Sequence, residues 1–117
     1  MILGIGIDIA ENSRFENLSD GMLSKIYTAN EISQLALRVD KAQFLASRFA
    51  AKEAFVKALG TGFGSVGAKD IEICNDVAGR PYITLLKDVC VHGRIHLSIS
   101  HEKTNSIAMV VIEDGSI

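Results

Sequence analysis

The stretch from Lys41 to Leu59 constrains this chain more than any other. Asp40 can cap its start and Gly60 can end it in a left-handed conformation, so it reads as one long helix. On a wheel counted from Phe44, the side chains of Leu45, Phe49, Phe55, Val56 and Leu59 join Phe44 in an arc of roughly 140° that needs cover. On the other flank, Ser47, Ala50, Ala51, Ala54 and Ala58 form a strip of small residues that lets a second backbone come close. A helix covered on both flanks lies inside a fold, and the rest of the chain has to supply the layers around it.

Those layers are mostly strands. Met1 to Ala10 alternates, with Leu3, Ile5, Ile7 and Ile9 on one face and Gly4, Gly6 and Asp8 on the other, which is strand periodicity with a second face bare except for Asp8. Glu11 to Leu37 has a helical but broken pattern, interrupted at Gly21, and Thr28 to Glu31 reads as a capping box opening a short helix. After a glycine-rich loop at Thr61 to Gly67, Asp70 to Asn75 and Arg80 to Leu86 form a hairpin through Asp76 to Gly79, with Pro81 where the turn hands over to the strand. Ile95 to Ser100 alternates, whereas Ser106 to Ile112 is apolar on both faces and reads as a strand covered on both sides. Strand, helices, then four strands is an α+β plan, an antiparallel sheet packed on one long helix plus short helices. Without repeats or linkers, the 117 residues are expected to form a single domain, 1–117.

Composition narrows the function classes. Apolar residues make up 48% of the chain, so apolar surface is left to hide and oligomerisation is the simplest way to hide it. Lys and Arg number 12 against 14 Asp and Glu, a net charge of −2 that carries no basic footprint for nucleic acid. No apolar run approaches the roughly 18 residues a membrane helix needs, and Met1 to Ala10 lacks the basic flank of a signal peptide, so a cytoplasmic protein is expected. Cys74 and Cys90 are too few and too far apart for a zinc quartet or a disulfide scaffold and read as reduced core thiols.

Charged residues in the long helix carry the first chemical signal. Arg48 and Lys52 fall inside its apolar arc one turn apart, where leucines would be expected. Their stems can snorkel, but two like charges at i and i+4 are better explained by an anion such as phosphate between them. Glu53 and Lys57 share the narrow remaining face with Ala42 and Ala46. Alone they are a surface ion pair; together with Asp8, on a strand face whose glycines leave space for a ligand, they offer a pair of carboxylates to a hard divalent cation such as Mg²⁺. Lys52, Lys57 and Arg48 would then neutralise phosphate oxygens, as phosphoryl transfer requires.

The residues also carry a resemblance. Gly4-Ile-Gly-Ile-Asp8, followed by the run Arg48-Phe-Ala-Ala-Lys-Glu-Ala-Phe-Val-Lys57 whose Lys52 stands 44 residues after Asp8, with Gly79-Arg-Pro-Tyr82 and Ser98-Ile-Ser-His101 later, resembles the signature of the 4′-phosphopantetheinyl transferases. The short length and the N-terminal Gly-Ile-Asp match their small, trimeric branch. That resemblance implies transfer of the phosphopantetheine arm of coenzyme A to a serine of apo acyl carrier protein, for fatty acid biosynthesis, with Mg²⁺ required and adenosine 3′,5′-bisphosphate released. It implies Asp8 and Glu53 as magnesium ligands, and Asp8, Glu53 and Lys57 as the catalytic set. Arg48, Lys52, Lys57, Gly60, Gly62, Pro81 and His101 would contact coenzyme A at a cleft between subunits of a homotrimer. Arg14 and Lys25 would dock the acidic carrier protein, on a face that Glu16 and Asp20 make less basic than the resemblance suggests. The general base stays open between a water at the metal, Glu53 acting through water, and a residue of a neighbouring subunit. Two other readings remain: a non-catalytic trimeric module binding coenzyme A or a nucleotide, and a structural oligomer in which Arg48 and Lys52 pair across subunits with acids such as Glu31 or Asp70.

Overall fold

Alternation in the first strand becomes a two-faced sheet. The structure is a computed structural model that describes residues 1–60, 66–87, 91 and 93–115. In chain order these form β1 (Ile2–Glu11), a 3-10 turn (Asn12–Phe15), α1 (Asp20–Ile26), α2 (Ala29–Leu35), α3 (Lys41–Leu59), a second 3-10 turn (Ala68–Asp70), β2 (Ile71–Asn75), β3 (Pro81–Leu85), β4 (Arg94–His101) and β5 (Asn105–Glu113). β1, β5 and β4 make an antiparallel sheet in that order, while β2 and β3 pair as a separate antiparallel hairpin. This is the expected α+β plan, with α3 as the long helix.

In the three-stranded sheet, Gly4, Gly6 and Asp8 of β1 stand opposite Ile112, Val110 and Ala108 of β5, which in turn stand opposite Ile95, Leu97 and Ile99 of β4. This face carries α3. A Cβ on Gly4 would lie 2.0 Å from the carbonyl oxygen of Ala58, and one on Gly6 would lie 1.8 Å from that of Ala54. Only glycine admits so close an approach, and it is the small-residue strip of α3 that meets it. The space expected to be left for a ligand beside the glycines is therefore taken by helix backbone.

The two flanks of α3 are covered as expected: Phe44, Leu45, Phe55 and Val56 are buried, and so are Ser47, Ala50, Ala51, Ala54 and Ala58; Ala46, on the narrow face between them, is buried as well. Gly60 ends the helix at φ 79°. Asp40 occupies the N-cap position but makes no cap bond; its carboxylate turns to Arg38 instead. The region from Glu11 to Leu37 resolves into the 3-10 turn, α1 and α2, and Gly21 lies inside α1 rather than between helices. Thr28 and Glu31 form the capping box of α2.

β5 is the central strand, but it is not covered on both sides. Its alternate residues Ser106, Ala108, Val110 and Ile112 are buried under α3, whereas Met109, on the opposite face, is 45% exposed. Ile5, Ile7 and Ile9 of β1 share that outer face, with Ile5 63% exposed. The turn from β4 to β5 is held from the other end of β1: buried Asn12 donates through Nδ2 to the carbonyls of Glu102 and Lys103, and Ser106 Oγ donates to its Oδ1 at 2.7 Å. That anchorage places His101, the last residue of β4, beside the start of α3.

Candidate active site

Asp8 lies one alternate position beyond the glycine seam, where β1 and α3 are already in backbone contact. Its carboxylate is mostly buried and receives the ammonium of Lys57, with Nζ 3.1 Å from Oδ1; the same Nζ donates to the carbonyl of Ile7 at 3.0 Å. Lys57 itself is exposed. Glu53, one turn earlier on α3, is half-buried, and no described residue donates a hydrogen bond to it. Burial holds its carboxyl above the usual range, and the Asp8 charge pushes it further the same way against the pull of Lys57. Asp8, Glu53 and Lys57 are thus brought together as expected, two acids drawn close with one cation between β1 and α3. No group of three or more potential metal-ligating His, Cys, Asp or Glu residues occurs among the described residues. A pair of carboxylates whose mutual repulsion is only partly offset is a donor set that fits a hard divalent cation completing its shell with substrate oxygens and water.

A second group forms a cleft of about 540 Å³ at the other end of α3. Arg48, Pro81 and His101, all expected to contact cofactor, line it together with Arg38, Gln43 and Asn75. Arg48 is buried. One of its terminal nitrogens donates to Asn75 Oδ1 at 2.5 Å, and the guanidinium lies 4.2 Å from the centroid of the Phe44 ring. Its Nε is buried with no hydrogen-bond partner. A buried guanidinium nitrogen left unpaired is costly unless something else meets it, and burial already draws this guanidinium below its ordinary pKa. The guanidinium of Arg38 lies over the same Phe44 ring at 5.1 Å, and Gln43 donates to the Glu102 carbonyl at 3.1 Å, tying the cleft wall to the β4–β5 turn.

Lys52 belongs to neither group, which corrects its expected place on an anion. Its side chain is fully buried, and Nζ donates to Glu31 Oε1 at 2.7 Å and to the carbonyls of Ile26 and Ala68 at 2.8 and 2.9 Å. All three ammonium protons are used inside the chain, leaving none for phosphate. Burial lowers its pKa, and the Glu31 charge opposes that shift. Glu31, whose Oε1 also accepts from the Thr28 amide and whose Oε2 accepts from the Ile73 amide, ties α2, α3 and β2 together. The ion pair imagined across subunits therefore exists within one chain for Lys52, whereas Asp70 turns back to the Gly67 amide.

The remaining expected residues are spread out. Gly60 forms the C-cap of α3, and Gly62 and Cys90 lie outside the described residues. Arg14 lies in the 3-10 turn and Lys25 in α1, both exposed. Cys74 is a free thiol on β2, half-buried rather than in the core. Asn75, Phe44 and Gln43 also line the cleft, and nothing in the sequence alone marks them for it. Asn75 stands next to the Asp76 turn and reads as turn chemistry, and Phe44 reads as core; only the hairpin's return onto α3 gives either a role in the cleft.

Comparison with known proteins places this geometry in a class. A family profile described as the 4′-phosphopantetheinyl transferase superfamily matches residues 4–111, and the chain belongs to that superfamily. Within it, the chain is 46% identical over 126 aligned positions to the holo-[acyl-carrier-protein] synthase of Halothermothrix orenii, covering 98% of this chain and all of that one. It is 48% identical over 122 positions to the enzyme of the same name from Treponema denticola, covering 97% and 99%. The structure superposes with a TM-score of 0.88, at 42% identity and 98% and 99% coverage, on a crystal structure of the holo-(acyl-carrier-protein) synthase of Bacillus anthracis in complex with coenzyme A (3′,5′-ADP).

Proposed function

We propose that the protein transfers the 4′-phosphopantetheine group of coenzyme A to a serine of apo acyl carrier protein, serving fatty acid biosynthesis, and releases adenosine 3′,5′-bisphosphate. The observation that carries the chemistry is the Asp8–Glu53 pair, two acids held together beside Lys57 with Glu53 lacking a donor among the described residues. They suit Mg²⁺, which when bound would polarise the diphosphate of the substrate toward attack. Asp8 and Glu53, placed by the β1–α3 seam, would hold the ion. Lys57 has an exposed stem and a head group that can turn from Asp8 to a phosphate oxygen, where it neutralises charge that builds on the leaving group. The attacking hydroxyl comes from the carrier protein.

Arg48, with its unpaired Nε, and the cleft walls at Pro81 and His101 suit the bisphosphate end of coenzyme A. Arg48 and Glu53 are five residues apart on α3, about 140° around its axis, so one helix does not aim both at one phosphate. Two copies meeting at the cleft would: Asp8, Glu53 and Lys57 from one, Arg48, Pro81 and His101 from the next. The exposed outer face of Ile5, Ile7, Ile9 and Met109 supplies a surface for such an assembly, which we read as a homotrimer with its sites between subunits. Arg14 and Lys25 are exposed and suit an acidic carrier protein. Among the described residues no helix is long and apolar enough to cross a membrane, and the substrates are those of the cytoplasm.

Intact-mass analysis of an apo acyl carrier protein incubated with this protein, coenzyme A and Mg²⁺ tests the reading. Gain of one phosphopantetheine mass, abolished by EDTA and by Asp8→Asn, is expected. No gain with any carrier protein would overturn it.

A further inference from the structure

Asp40 is an acid in a cleft otherwise suited to an anion. Two guanidiniums and an imidazole, those of Arg38, Arg48 and His101, line that cleft, and Asp40 brings the single carboxylate among the described lining residues. Helix capping does not account for it, because the Asp40 carboxylate makes no bond to the start of α3. Both of its oxygens face Arg38 instead, with Nε to Oδ1 at 3.0 Å and a terminal nitrogen to Oδ2 at 3.1 Å. The pair is well exposed, at 45% and 37% for the two side chains, so it adds little to stability. It does occupy the more accessible of the two guanidiniums resting on Phe44, while the buried one keeps its Nε unpaired. A doubly charged phosphate entering beside Arg48 meets Arg38 within the same wall and offers it a stronger acceptor than a carboxylate.

We propose that Asp40 is a built-in competitor for the substrate's phosphate, holding the Arg38 guanidinium until the bisphosphate end of coenzyme A draws it away and taking it back as the product leaves. This rests on the assignment of that end of coenzyme A to the cleft. The pair then sets affinity: it weakens binding of substrate and product alike, and so favours release of adenosine 3′,5′-bisphosphate after transfer.

The test is binding of adenosine 3′,5′-bisphosphate by titration calorimetry to the wild-type protein, Asp40→Asn, Arg38→Ala and the double variant. Asparagine is as good a cap residue as aspartate, so α3 is expected to keep its helicity by circular dichroism, and Asp40→Ser provides a second substitution with the same property. Both Asp40 variants should bind about two- to fivefold more tightly than wild type, the effect expected for removing an exposed charge pair. At least half of that gain should vanish when Arg38 is alanine. In turnover, Asp40→Asn should lower KM for coenzyme A without raising kcat, a split that a merely structural role would not produce. Unchanged or weaker binding by both Asp40 variants, with wild type binding normally, would overturn the proposal alone. So would a gain that persists in full without Arg38. Failure of wild type itself to bind adenosine 3′,5′-bisphosphate would overturn both this proposal and the transferase reading beneath it.

Discussion

Lys52 and Glu53 are neighbours in sequence and opposite in circumstance. Lys52 has every proton bonded and no exposure, whereas Glu53 sits at the edge of the helix with a like charge beside it. A helical wheel assigns direction but not partners, so the sequence could point Lys52 inward and still misname what it meets. Glu31 could be read as a cap or as an acid pairing across subunits, but not as the tie between β2 and α3 of one chain, because the bonds it accepts from them come from 42 and 21 residues away. The strand period placed Asp8 alone on the glycine face of β1, but not the backbone of α3 that fills that face beside it. Glu53→Gln is expected to reduce transfer by about a hundredfold or more, the scale of several kcal/mol lost from charge stabilisation, in a carrier-protein mass assay. The same variant should keep its fold and lose the thermal stabilisation that Mg²⁺ with coenzyme A gives wild type. Lys52→Met acts through stability instead: it strands the Glu31 carboxylate in the core and should cost about 3–5 kcal/mol in denaturant unfolding. Arg38 holds the Asp40 carboxyl below its ordinary range. That contribution is present above the ordinary carboxylate pKa of 3.8 and is lost as pH falls through the lowered value. Because both groups are largely exposed the loss is small, and Asp40→Asn should remove it from the acid limb of thermal unfolding.

At the scale of elements, the long helix, the hairpin and the alternating strands follow from period and turn chemistry, and all are found close to their expected bounds. Two features were not legible. The broken stretch before α3 contains a glycine that pattern reading takes for a boundary, yet α1 runs through Gly21 because its Ser19 cap, accepting from the Met22 amide, starts the helix before it. The glycines of β1 look like room for a ligand until the helix is placed on them. Gly6→Ala tests that contact directly. Its methyl group would meet the Ala54 carbonyl at a distance no rotamer relieves, so β1 and α3 must part. The cost should lie at the upper end of about 1–3 kcal/mol or beyond it, with activity falling further than stability because Asp8 and Glu53 separate. Chemical denaturation paired with a transfer assay reads both.

For the whole molecule, the sheet's uncovered face is the main departure from the sequence reading of β5 as a strand covered on both sides. Within one chain α3 covers only one side, and the apolar residues of the other side form the face that the proposed homotrimer would cover. Ile7→Asp or Met109→Lys, each on that face, should convert the protein to a monomer by native mass spectrometry while leaving the circular dichroism of the protomer intact. Transfer should be lost with the assembly, read most cleanly in Met109→Lys because the Ile7 carbonyl accepts from Lys57.

The two unlike faces of β1 also act as an error check on the placement of Asp8. Residues on a strand change sides with every single-residue slip. Shifting β1 by one position against β5 would turn isoleucines toward the carbonyls of Ala54 and Ala58, where even a methyl group does not fit, and would carry Asp8 to the opposite side of the sheet. No compact arrangement near the native one tolerates that. The position of the acid is therefore decided together with the packing of the helix, and a chain that folds at all delivers Asp8 to Glu53.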